Sequence, residues 1–455
     1  DGHKYLKQAT ENGAIAAIVE EINEDLDIPQ VVVKNARTTL ATVGAIYYNH
    51  PSRRLKMIGI TATNGKTTTS YITNAILENY GQNKELIDNV QIKLGDKSIP
   101  SELTTPESLD LQYYLDEMVK KDVSHVTMEV SSAAQLMNRV DHVEYDIVAF
   151  NNFSSEHMEM HGTMENYFEA KSRLIRHASE DSFAILNLDN PKVASLVDKT
   201  KATVVTYSVE EKKGDLYCKN LDLTTGRAKF TLEVLNPIRV TQNYIIEKGE
   251  FDIELAVPGL HSVYNSMAAI IIGLISGVSI SSIQDTLKHF TGVERRFEYI
   301  YEKDIKIIDD HFANPGNIDV TLNTLKFMDY EKLHMVYAIR GSRGYEVNRD
   351  NALAIAKWAP KLGIKEIIAT KSISDVTEKD VVTEEEAEVF LKVMKDANIH
   401  VRLYEELPEA INDALGSARF DDLILLAGCQ GMDNGAKIAL SQLEKAEHDY
   451  SQQTI

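Results

Sequence analysis

A lysine that follows a glycine and precedes a run of threonines is the strongest chemical signal in this chain of 455 residues. The stretch KMIGITATNGKTTTSYITNAILENYG passes from a short apolar strand through a loop into an amphipathic helix that ends near Gly81. This order is typical of a P-loop, in which free backbone N–H groups at the start of a helix hold phosphate. Lys66 would reach the terminal phosphates, and the Thr67 hydroxyl would bind Mg²⁺. The spacing is not the standard one, because Gly59 lies one residue too far from Gly65, so an ordinary strand-to-helix turn stays an alternative.

Acidic and histidine residues follow the next strands of the same region. HVTMEV is predicted to be a strand that leaves Glu129 near its carboxyl end, where open α/β sheets bind ligands. The next strand, DIVAF, runs into NNFSSEHMEMHG, a loop that contains Glu156, His157, Glu159 and His161. Carboxylate oxygens with one imidazole suit Mg²⁺ or Mn²⁺ better than Zn²⁺. The two segments therefore predict a metal site, although each residue alone is also compatible with a solvated loop.

One lysine lies where an apolar residue belongs. In the predicted helix TMENYFEAKSRLIR, Lys171 falls on the stripe formed by Met164, Tyr167, Phe168 and Leu174, which should face the core. The ordinary explanation is that the stem is buried while the ammonium reaches water. The other is burial of the amine itself, which would favour a neutral, reactive form that can take up carbon dioxide to give a carbamate.

The elements that must position these residues alternate along the chain. Apolar strand-like runs and helical patterns succeed each other from Leu55 onward, which predicts a mostly parallel sheet covered by helices. Residues 214–258 differ, since they contain several short strands separated by turn residues. After Arg296 the alternation restarts and predicts a second open α/β unit. The fold class is therefore α/β.

The composition excludes several classes of protein. Lysine and arginine total 48 against 69 aspartate and glutamate, a formal net charge of −21. This surplus opposes any broad grip on nucleic-acid phosphate, so an anionic ligand must be held by a few placed cations or a helix N-terminus. At about 150 residues per domain the length predicts roughly three domains.

The cysteine content and hydropathy indicate a soluble cytoplasmic protein. Cys218 and Cys429 lie far apart, so they form neither a disulfide framework nor a thiolate metal site. The longest apolar run, Met267 to Ile275, is about half the length that spans a bilayer, and no signal-peptide pattern opens the chain. Because the first residue is Asp1 and the opening is abrupt, we expect that N-terminal sequence is missing.

Six motifs occur in an order that carries a family resemblance. They are TNGKTTT, TTPES, MEVSS, HGTMENYFEAK, VYNSMAA and VERRFE. Together with the opening DGHKYLKQATENGAIAAIV, they resemble the Mur ligase family, and most closely its MurE type. The resemblance implies three domains: an N-terminal UDP-substrate-binding domain at residues 1–52, expected to be incomplete, a central ATP-binding P-loop domain with a parallel sheet at 53–295, and a C-terminal Rossmann-like domain for the incoming amino acid at 296–455.

Membership would imply an ATP- and Mg²⁺-dependent amide ligase. Such enzymes add an amino acid to a UDP-linked cell-wall peptide precursor, and the acceptor carboxylate is activated as an acyl phosphate. The partners implied are that precursor and a free amino acid, with no nucleic acid and no membrane span, and the chain is expected to be a monomer. Lys66 and Mg²⁺ would neutralise the negative charge that develops during phosphoryl transfer, which is consistent with this chemistry.

The motifs also carry site residues over from the family. The resemblance assigns catalytic roles to Lys66, Glu129, His157 and Lys171. It assigns ATP contacts to Asn64, Gly65, Lys66, Thr67, Thr68, Asn265, Arg296 and Asp310. It assigns substrate contacts to Thr104, Thr105, Ser131 and Arg139. It assigns metal ligation to Thr67, Glu129, His157 and, if carbamylated, Lys171.

Several departures from the family pattern bear on the substrate. Ala62 stands where a glycine is usual, and Glu156 replaces the usual aspartate before His157. The DNPR motif of diaminopimelate-adding enzymes is replaced by ATKSISDVTEKD. A ligase of archaeal pseudomurein peptide synthesis fits these departures. The alternatives are a folylpolyglutamate-like, cyanophycin-like or tetrapyrrole-cofactor ligase of the same superfamily, or a nucleotide-binding module without ligase activity.

Overall fold

The computed structural model describes residues 2–95, 97–154, 158–293 and 295–453. The chain divides into two compact units, one formed by the described residues up to Thr206 except Ser154, and the other by Ser154 and the residues from Tyr207 onward. The described strands form one 11-stranded sheet, one six-stranded sheet and two two-stranded sheets.

The first unit contains ten strands and eight helices among its described residues. The strands are β1 (Ala17–Val19), β2 (Gln30–Val32), β3 (Lys56–Thr61), β4 (Lys84–Ile87), β5 (Gln91–Leu94), β6 (Lys97–Pro100), β7 (His125–Glu129), β8 (Ile147–Phe150), β9 (Phe183–Asn187) and β10 (Thr203–Ser208), which ends just past the unit's last residue. The helices are α1 (Leu6–Glu11), α2 (Ala36–Tyr47), α3 (Lys66–Asn79), α4 (Ser108–Lys120), α5 (Ser132–Leu136), α6 (Met158–His161), α7 (Met164–Arg176) and α8 (Pro191–Ala194).

The main sheet of the first unit places the functional loops at one edge. Within this unit the strands of the sheet run in the order β10-β9-β8-β3-β7-β4-β5-β6, and those from β9 to β4 are parallel. The parallel strands are apolar and buried on both faces, as expected where helices cover a sheet. Because parallel strands all end on one side, the residues that follow β3, β4, β7 and β8 meet at the carboxyl edge of the sheet.

The second unit holds the remaining eleven strands and seven helices of the described chain. The strands are β11 (Leu216–Asp222), β12 (Arg227–Val234), β13 (Ile238–Arg239), β14 (Ile245–Ile246), β15 (Gly249–Pro258), β16 (Glu298–Glu302), β17 (Lys306–Asp310), β18 (Leu333–Ala338), β19 (Glu366–Thr370), β20 (His400–Tyr404) and β21 (Leu423–Ala427). The helices are α9 (Leu260–Ile275), α10 (Ile280–His289), α11 (Pro315–Leu325), α12 (Tyr345–Leu362), α13 (Glu384–Asp396), α14 (Leu407–Ser417) and α15 (Gly435–Gln453).

The second unit contains antiparallel strands first and a mostly parallel sheet later in the chain. Strands β11, β12 and β15 pair antiparallel. The later strands form a six-stranded sheet in the order β16-β17-β21-β18-β19-β20, in which only β16 is antiparallel. Separate apolar cores cover the two faces of this sheet. The apolar run at Met267 lies inside α9, which is buried along most of its length, and none of the described helices could cross a membrane.

The α/β class and the alternation of strands and helices are confirmed. The β-rich character of residues 214–258 is confirmed as well. The sequence patterns did not reveal the hairpin strands β4 to β6 or the antiparallel strand β16. The predicted domain boundaries after residues 52 and 295 stay predictions.

Candidate active site

The loop between β3 and α3 has the backbone of a phosphate loop. Gly65, at the start of α3, has φ +85°, a left-handed conformation that glycine adopts without strain. A residue that follows β8 holds this loop, since the side chain of Asn152 accepts from the Asn64 N–H at 3.0 Å and donates to the Asn64 carbonyl at 2.8 Å. Thr68 is half-buried in the first helical turn. The loop is thus set in shape by its neighbour strand.

Two lysine ammonium groups converge on one carbonyl oxygen of this loop. Lys66 Nζ donates to the carbonyls of Ala62 and Thr63, at 3.1 Å each. Lys171 Nζ donates to the same Ala62 carbonyl at 2.7 Å and lies 4.9 Å from the Tyr167 ring centroid. Because Lys171 is only 2% exposed, the explanation in which its ammonium reaches water is wrong. Positive charge is therefore concentrated where a phosphate would bind.

The irregular glycine spacing of the motif has a packing explanation. Gly59 lies inside β3, and a Cβ there would stand 2.8 Å from ring atoms of Tyr145. Its role is to admit an aromatic ring, which leaves the phosphate-loop conformation to Gly65.

Glu129 ends β7 as a buried, weakly hydrogen-bonded carboxylate. It is 0% exposed, and neither of its oxygens makes a well-formed hydrogen bond among the residues that the structure describes, although the Asn89 N–H lies close enough to lower its pKa. Burial raises the pKa of Glu129 above its usual range, while the nearby charge of Lys66 opposes the rise. The Thr67 hydroxyl lies near, and it donates to Asn89 at 3.0 Å. A desolvated carboxylate of this kind is stabilised by a cation.

A second buried carboxylate, which the sequence analysis missed, follows the neighbouring strand. Asp88 comes directly after β4, is 0% exposed, and accepts from the N–H groups of Val90 and Gln91 through one oxygen. Its other oxygen makes no well-formed hydrogen bond within the described part of the chain, although the Tyr71 hydroxyl lies close enough to lower the pKa of Asp88. Burial raises the pKa of Asp88 as well. The sequence did place an acidic residue directly after a strand, but the pair Asp88-Asn89 is equally typical of a turn.

The predicted histidine-rich loop falls largely outside the described structure. Glu156 and His157 lie outside the described residues, and so does the side chain of Glu159. His161 is buried and is 3.0 Å from the Ser132 hydroxyl. In the described ranges, no three His, Cys, Asp or Glu side chains form a metal-binding group. The role of His157 stays a prediction.

The residues predicted to contact substrate lie together beside β7. Thr105 is fully buried, donates to the Glu129 carbonyl at 2.9 Å and accepts from the Ser131 N–H at 3.1 Å. Arg139 donates to the Thr105 carbonyl and pairs with Glu107 at 2.8 Å, and Thr104 is half-buried. Backbone contacts thus tie this polar group to the strand that carries Glu129.

In the second unit, two aspartates end β17 and both are bonded within the protein. Asp310 accepts from the Thr321 hydroxyl at 2.8 Å and from the Phe297 N–H at 2.7 Å. Asp309 pairs with Arg295 at 3.2 Å, and Arg295 also donates to backbone carbonyls that follow β21. Burial raises the pKa of Asp309 to about 7 and that of Asp310 to about 6. The predicted ATP contact Asp310 therefore has a structural role whatever else it binds.

Two further predicted ATP contacts lie elsewhere in the second unit. Arg296 is half-buried and close enough to lower the pKa of Asp310 and of His311. Burial, with Arg296 and two other arginines, lowers the pKa of His311 to about 3, so the imidazole is neutral. Asn265 is 2% exposed inside α9, and its Nδ2 atom has no partner in the described structure.

The residues of the first unit fit both Mg²⁺ and the phosphates of ATP. The weakly hydrogen-bonded carboxylate of Glu129 and the hydroxyl of Thr67 are hard oxygen donors of the kind that Mg²⁺ prefers. The left-handed Gly65, the helix start and Lys66 are the features that hold phosphate. This edge of the sheet can therefore bind and polarise a phosphoryl group.

Comparison with known proteins gives the same assignment. Residues 60–273 match the model of the Mur ligase middle domain, and residues 295–430 match that of the Mur ligase, glutamate ligase domain. A UDP-N-acetylmuramoyl-L-alanyl-D-glutamate--2,6-diaminopimelate ligase of Caldanaerobacter subterraneus is 31% identical over 430 residues, which is 94% of this chain and 84% of the relative. The ligase of the same name from Bacillus cereus is 34% identical over 437 residues, with the same coverage.

Solved structures share the fold. A diaminopimelate ligase structure of that name aligns with a TM-score of 0.65 at 23% identity, covering 93% of this chain and 83% of its own. A pseudomurein peptide ligase type C from Methanothermus fervidus aligns with a TM-score of 0.60 at 18% identity, covering 94% of this chain and 87% of its own. With the phosphate loop, the buried lysine and the predicted motif order, these matches show that the chain belongs to the Mur ligase family.

Proposed function

We propose that this protein is an ATP-dependent amide ligase that adds an amino acid to a UDP-linked cell-wall peptide precursor. The observation that carries the proposal is the weakly hydrogen-bonded buried carboxylate of Glu129 beside Lys66 and Thr67 at the phosphate loop. A protein that only bound nucleotide would not need the buried ammonium of Lys171.

The curated relatives support the class of acceptor. Those at 31% to 34% identity are named as ligases of UDP-N-acetylmuramoyl dipeptide and diaminopimelate. The missing DNPR motif argues for a different amino acid, so we propose a UDP-muramyl or UDP-glutamyl peptide as acceptor and leave the added amino acid to experiment. The place of action is proposed to be the cytoplasm, with the chain as a monomer.

The first step is activation of the acceptor carboxylate. Its oxygen attacks the γ-phosphorus of ATP, which gives an acyl phosphate and ADP. Lys66 and the N–H groups at the start of α3 would hold the phosphates, while Thr67 and Glu129 would hold Mg²⁺. When bound, Mg²⁺ supplies charge neutralisation on the phosphate oxygens. Asn64, Gly65 and Thr68 would supply further phosphate contacts.

The second step forms the amide bond. The amine of the incoming amino acid attacks the acyl carbon, and phosphate leaves with the electron pair of the broken C–O bond. We assign binding of this amino acid to the C-terminal sheet of the second unit, and nucleotide contacts there to Asn265, Arg296 and Asp310. Thr104, Thr105, Ser131 and Arg139 are assigned to the UDP-linked acceptor.

The test is phosphate release from ATP and Mg²⁺ across a panel of acceptors. UDP-muramyl peptides and UDP-glutamyl peptides are each supplied with every common amino acid, and the products are identified by mass spectrometry. Release that requires one acceptor and one amino acid, with the mass of the ligated product, is expected.

The alternatives are distinguished in the same assay. If no UDP-linked acceptor stimulates phosphate release but a folate-like or cofactor acid does, the proposed acceptor is wrong. ATP binding without acceptor-dependent release on either panel would point to a nucleotide-binding module.

A further inference from the structure

The carboxyl edge of the first sheet holds a second carboxylate beside Glu129. The parallel pairing of β4 with β7 aligns Ile87 with Met128. The next residue on each chain is therefore Asp88 opposite Glu129, and neighbouring strands lie about 4.8 Å apart. Both side chains are 0% exposed.

Most oxygens of these two carboxylates are weakly hydrogen-bonded. Both oxygens of Glu129 and one oxygen of Asp88 make no well-formed hydrogen bond in the described parts of the chain. The Thr67 hydroxyl and the Asn89 N–H lie close enough to lower the pKa of Glu129, and the Tyr71 hydroxyl lies close enough to lower that of Asp88. The nearest ammonium, that of Lys66, bonds instead to two carbonyls of its own loop. Two buried carboxylates this close together and this weakly hydrogen-bonded must either take up protons, as their raised pKa values indicate, or bind a cation.

We propose that Asp88 is a further ligand of the metal ion, and that Asp88 and Glu129 together bind a divalent cation before any nucleotide is present. This inference rests on the proposed function, since it concerns the metal of the same site. Two carboxylates and the Thr67 hydroxyl form a hard-oxygen set that leaves positions for water and phosphate, as Mg²⁺ requires.

The bonded oxygen of Asp88 allows a clean test. Through that oxygen it accepts from the N–H groups of Val90 at 2.6 Å and Gln91 at 2.8 Å, which shapes the turn after β4. Asp88→Asn keeps an oxygen that can accept these two hydrogen bonds, but it replaces the other carboxylate oxygen by an uncharged NH₂ group. A pure turn role predicts a near-normal variant, whereas a metal role predicts loss of cation affinity.

The experiment measures binding of Mn²⁺ to the whole chain without nucleotide. Electron paramagnetic resonance reports the free ion, and calorimetry gives the affinity. The wild type is expected to bind one Mn²⁺, and Asp88→Asn to bind it about 10- to 100-fold more weakly. Mg²⁺ should compete with Mn²⁺ for the site. Far-ultraviolet circular dichroism and thermal unfolding establish that the variant is folded.

A matched control lies on the same strand. Glu85 is also a buried carboxylate of β4, but its side chain accepts from the Gly95 N–H, and its odd spacing from Asp88 puts it on the other face. Glu85→Gln should leave the Mn²⁺ affinity unchanged. If Asp88→Asn is unstable, Asp88→Ser, which also keeps a turn acceptor, replaces it.

Two results would overturn the inference. One is an unchanged Mn²⁺ affinity in a folded Asp88→Asn variant, which would leave Asp88 as a turn residue only. The other is a wild type that binds no Mn²⁺ at millimolar concentration without nucleotide. Neither result touches the proposed function, which fails separately if no UDP-linked acceptor stimulates phosphate release.

Discussion

Two pairs of buried carboxyl groups lie at the carboxyl ends of strands, one pair in each unit, and they differ in what surrounds them. Asp88 follows β4 and Glu129 ends the neighbouring parallel strand β7, while Asp309 and Asp310 end the single strand β17. Burial raises the pKa of all four groups. The first pair has three oxygens without a well-formed hydrogen bond in the described structure.

The second pair is satisfied by the protein itself. Arg295 pairs with Asp309, and Thr321 and the Phe297 N–H donate to Asp310. Both pairs consist of buried carboxyl groups at the carboxyl ends of strands, and the donors around them differ. A carboxylate left without donors is available for a cation, whereas one that is fully bonded fixes the backbone around it.

The largest expected effect comes from Lys171→Ala in the first unit. Ligation should fall about 1000-fold or more, about 4 kcal/mol of activation free energy, because the change removes a buried group beside the phosphate loop. ATP affinity should be largely intact, since Lys66 remains. Initial rates of product formation and calorimetric ATP binding measure the two effects.

Rescue and a control sharpen this first prediction. A short carboxylic acid in solution should restore part of the activity if Lys171 acts as a carbamate, and should restore none if its ammonium only holds the Ala62 carbonyl. Lys192→Ala is the control, because that lysine is exposed and lies 5.5 Å from the Phe168 ring centroid. Full activity of Lys171→Ala would contradict its assignment.

The next largest effect belongs to the second unit and acts on stability. Arg295→Met should lower the free energy of unfolding by about 3 kcal/mol, because it leaves Asp309 buried without its ion pair. Urea unfolding measures it. Arg349→Met is the control, since Arg349 makes only exposed pairs and should change stability by less than about 1 kcal/mol. Equal effects of the two changes would remove the contrast between bonded and open carboxylates.

The parts of the site that are local in sequence could be predicted. The loop at Lys66 lies within one strand-to-helix unit, and the place of Lys171 follows from the period of a single helix. In the structure Gly65 has a left-handed backbone and Lys171 is buried, and the roles of both residues in the site stay predictions. The interpretation of Gly59 was not available from sequence, since Tyr145 comes from a distant segment.

The parts that depend on strand pairing could not be predicted. Asp88 faces Glu129 only because β4 and β7 pair in parallel, and nothing near either residue encodes that register. The same holds for Asn152, which holds the phosphate loop from the end of another strand. Arg295 stood unnoticed beside Arg296 because its partners lie 14 and more than 130 residues away.

A smaller effect is expected for Lys66→Ala, which tests the first unit again. Loss of a charge-assisted phosphate contact should weaken ATP binding about 10- to 100-fold. Lys56→Ala is the control, because Lys56 lies at the other end of β3 and pairs with Asp146 at 2.8 Å. Calorimetry with a non-hydrolysable ATP analogue measures both variants. Unchanged affinity in Lys66→Ala would count against a phosphate loop here.

The last prediction is a pH dependence that separates the two pairs of carboxyl groups. The pKa of Asp309 is about 7 in the folded chain and near 3.9 in an unfolded one, so the folded state binds more protons between those values. Stability should therefore fall as pH rises from about 4 to 7, by at most about 1.4 kcal/mol per pH unit for this one group. Asp309→Asn should flatten that slope, as measured by urea unfolding at several pH values. Mn²⁺ should change the part of the pH dependence of stability that arises from Asp88 and Glu129, because only this pair can exchange its protons for a cation. The part that arises from Asp309 should stay in place. If Mn²⁺ abolished the whole pH dependence, the two pairs would not be distinct.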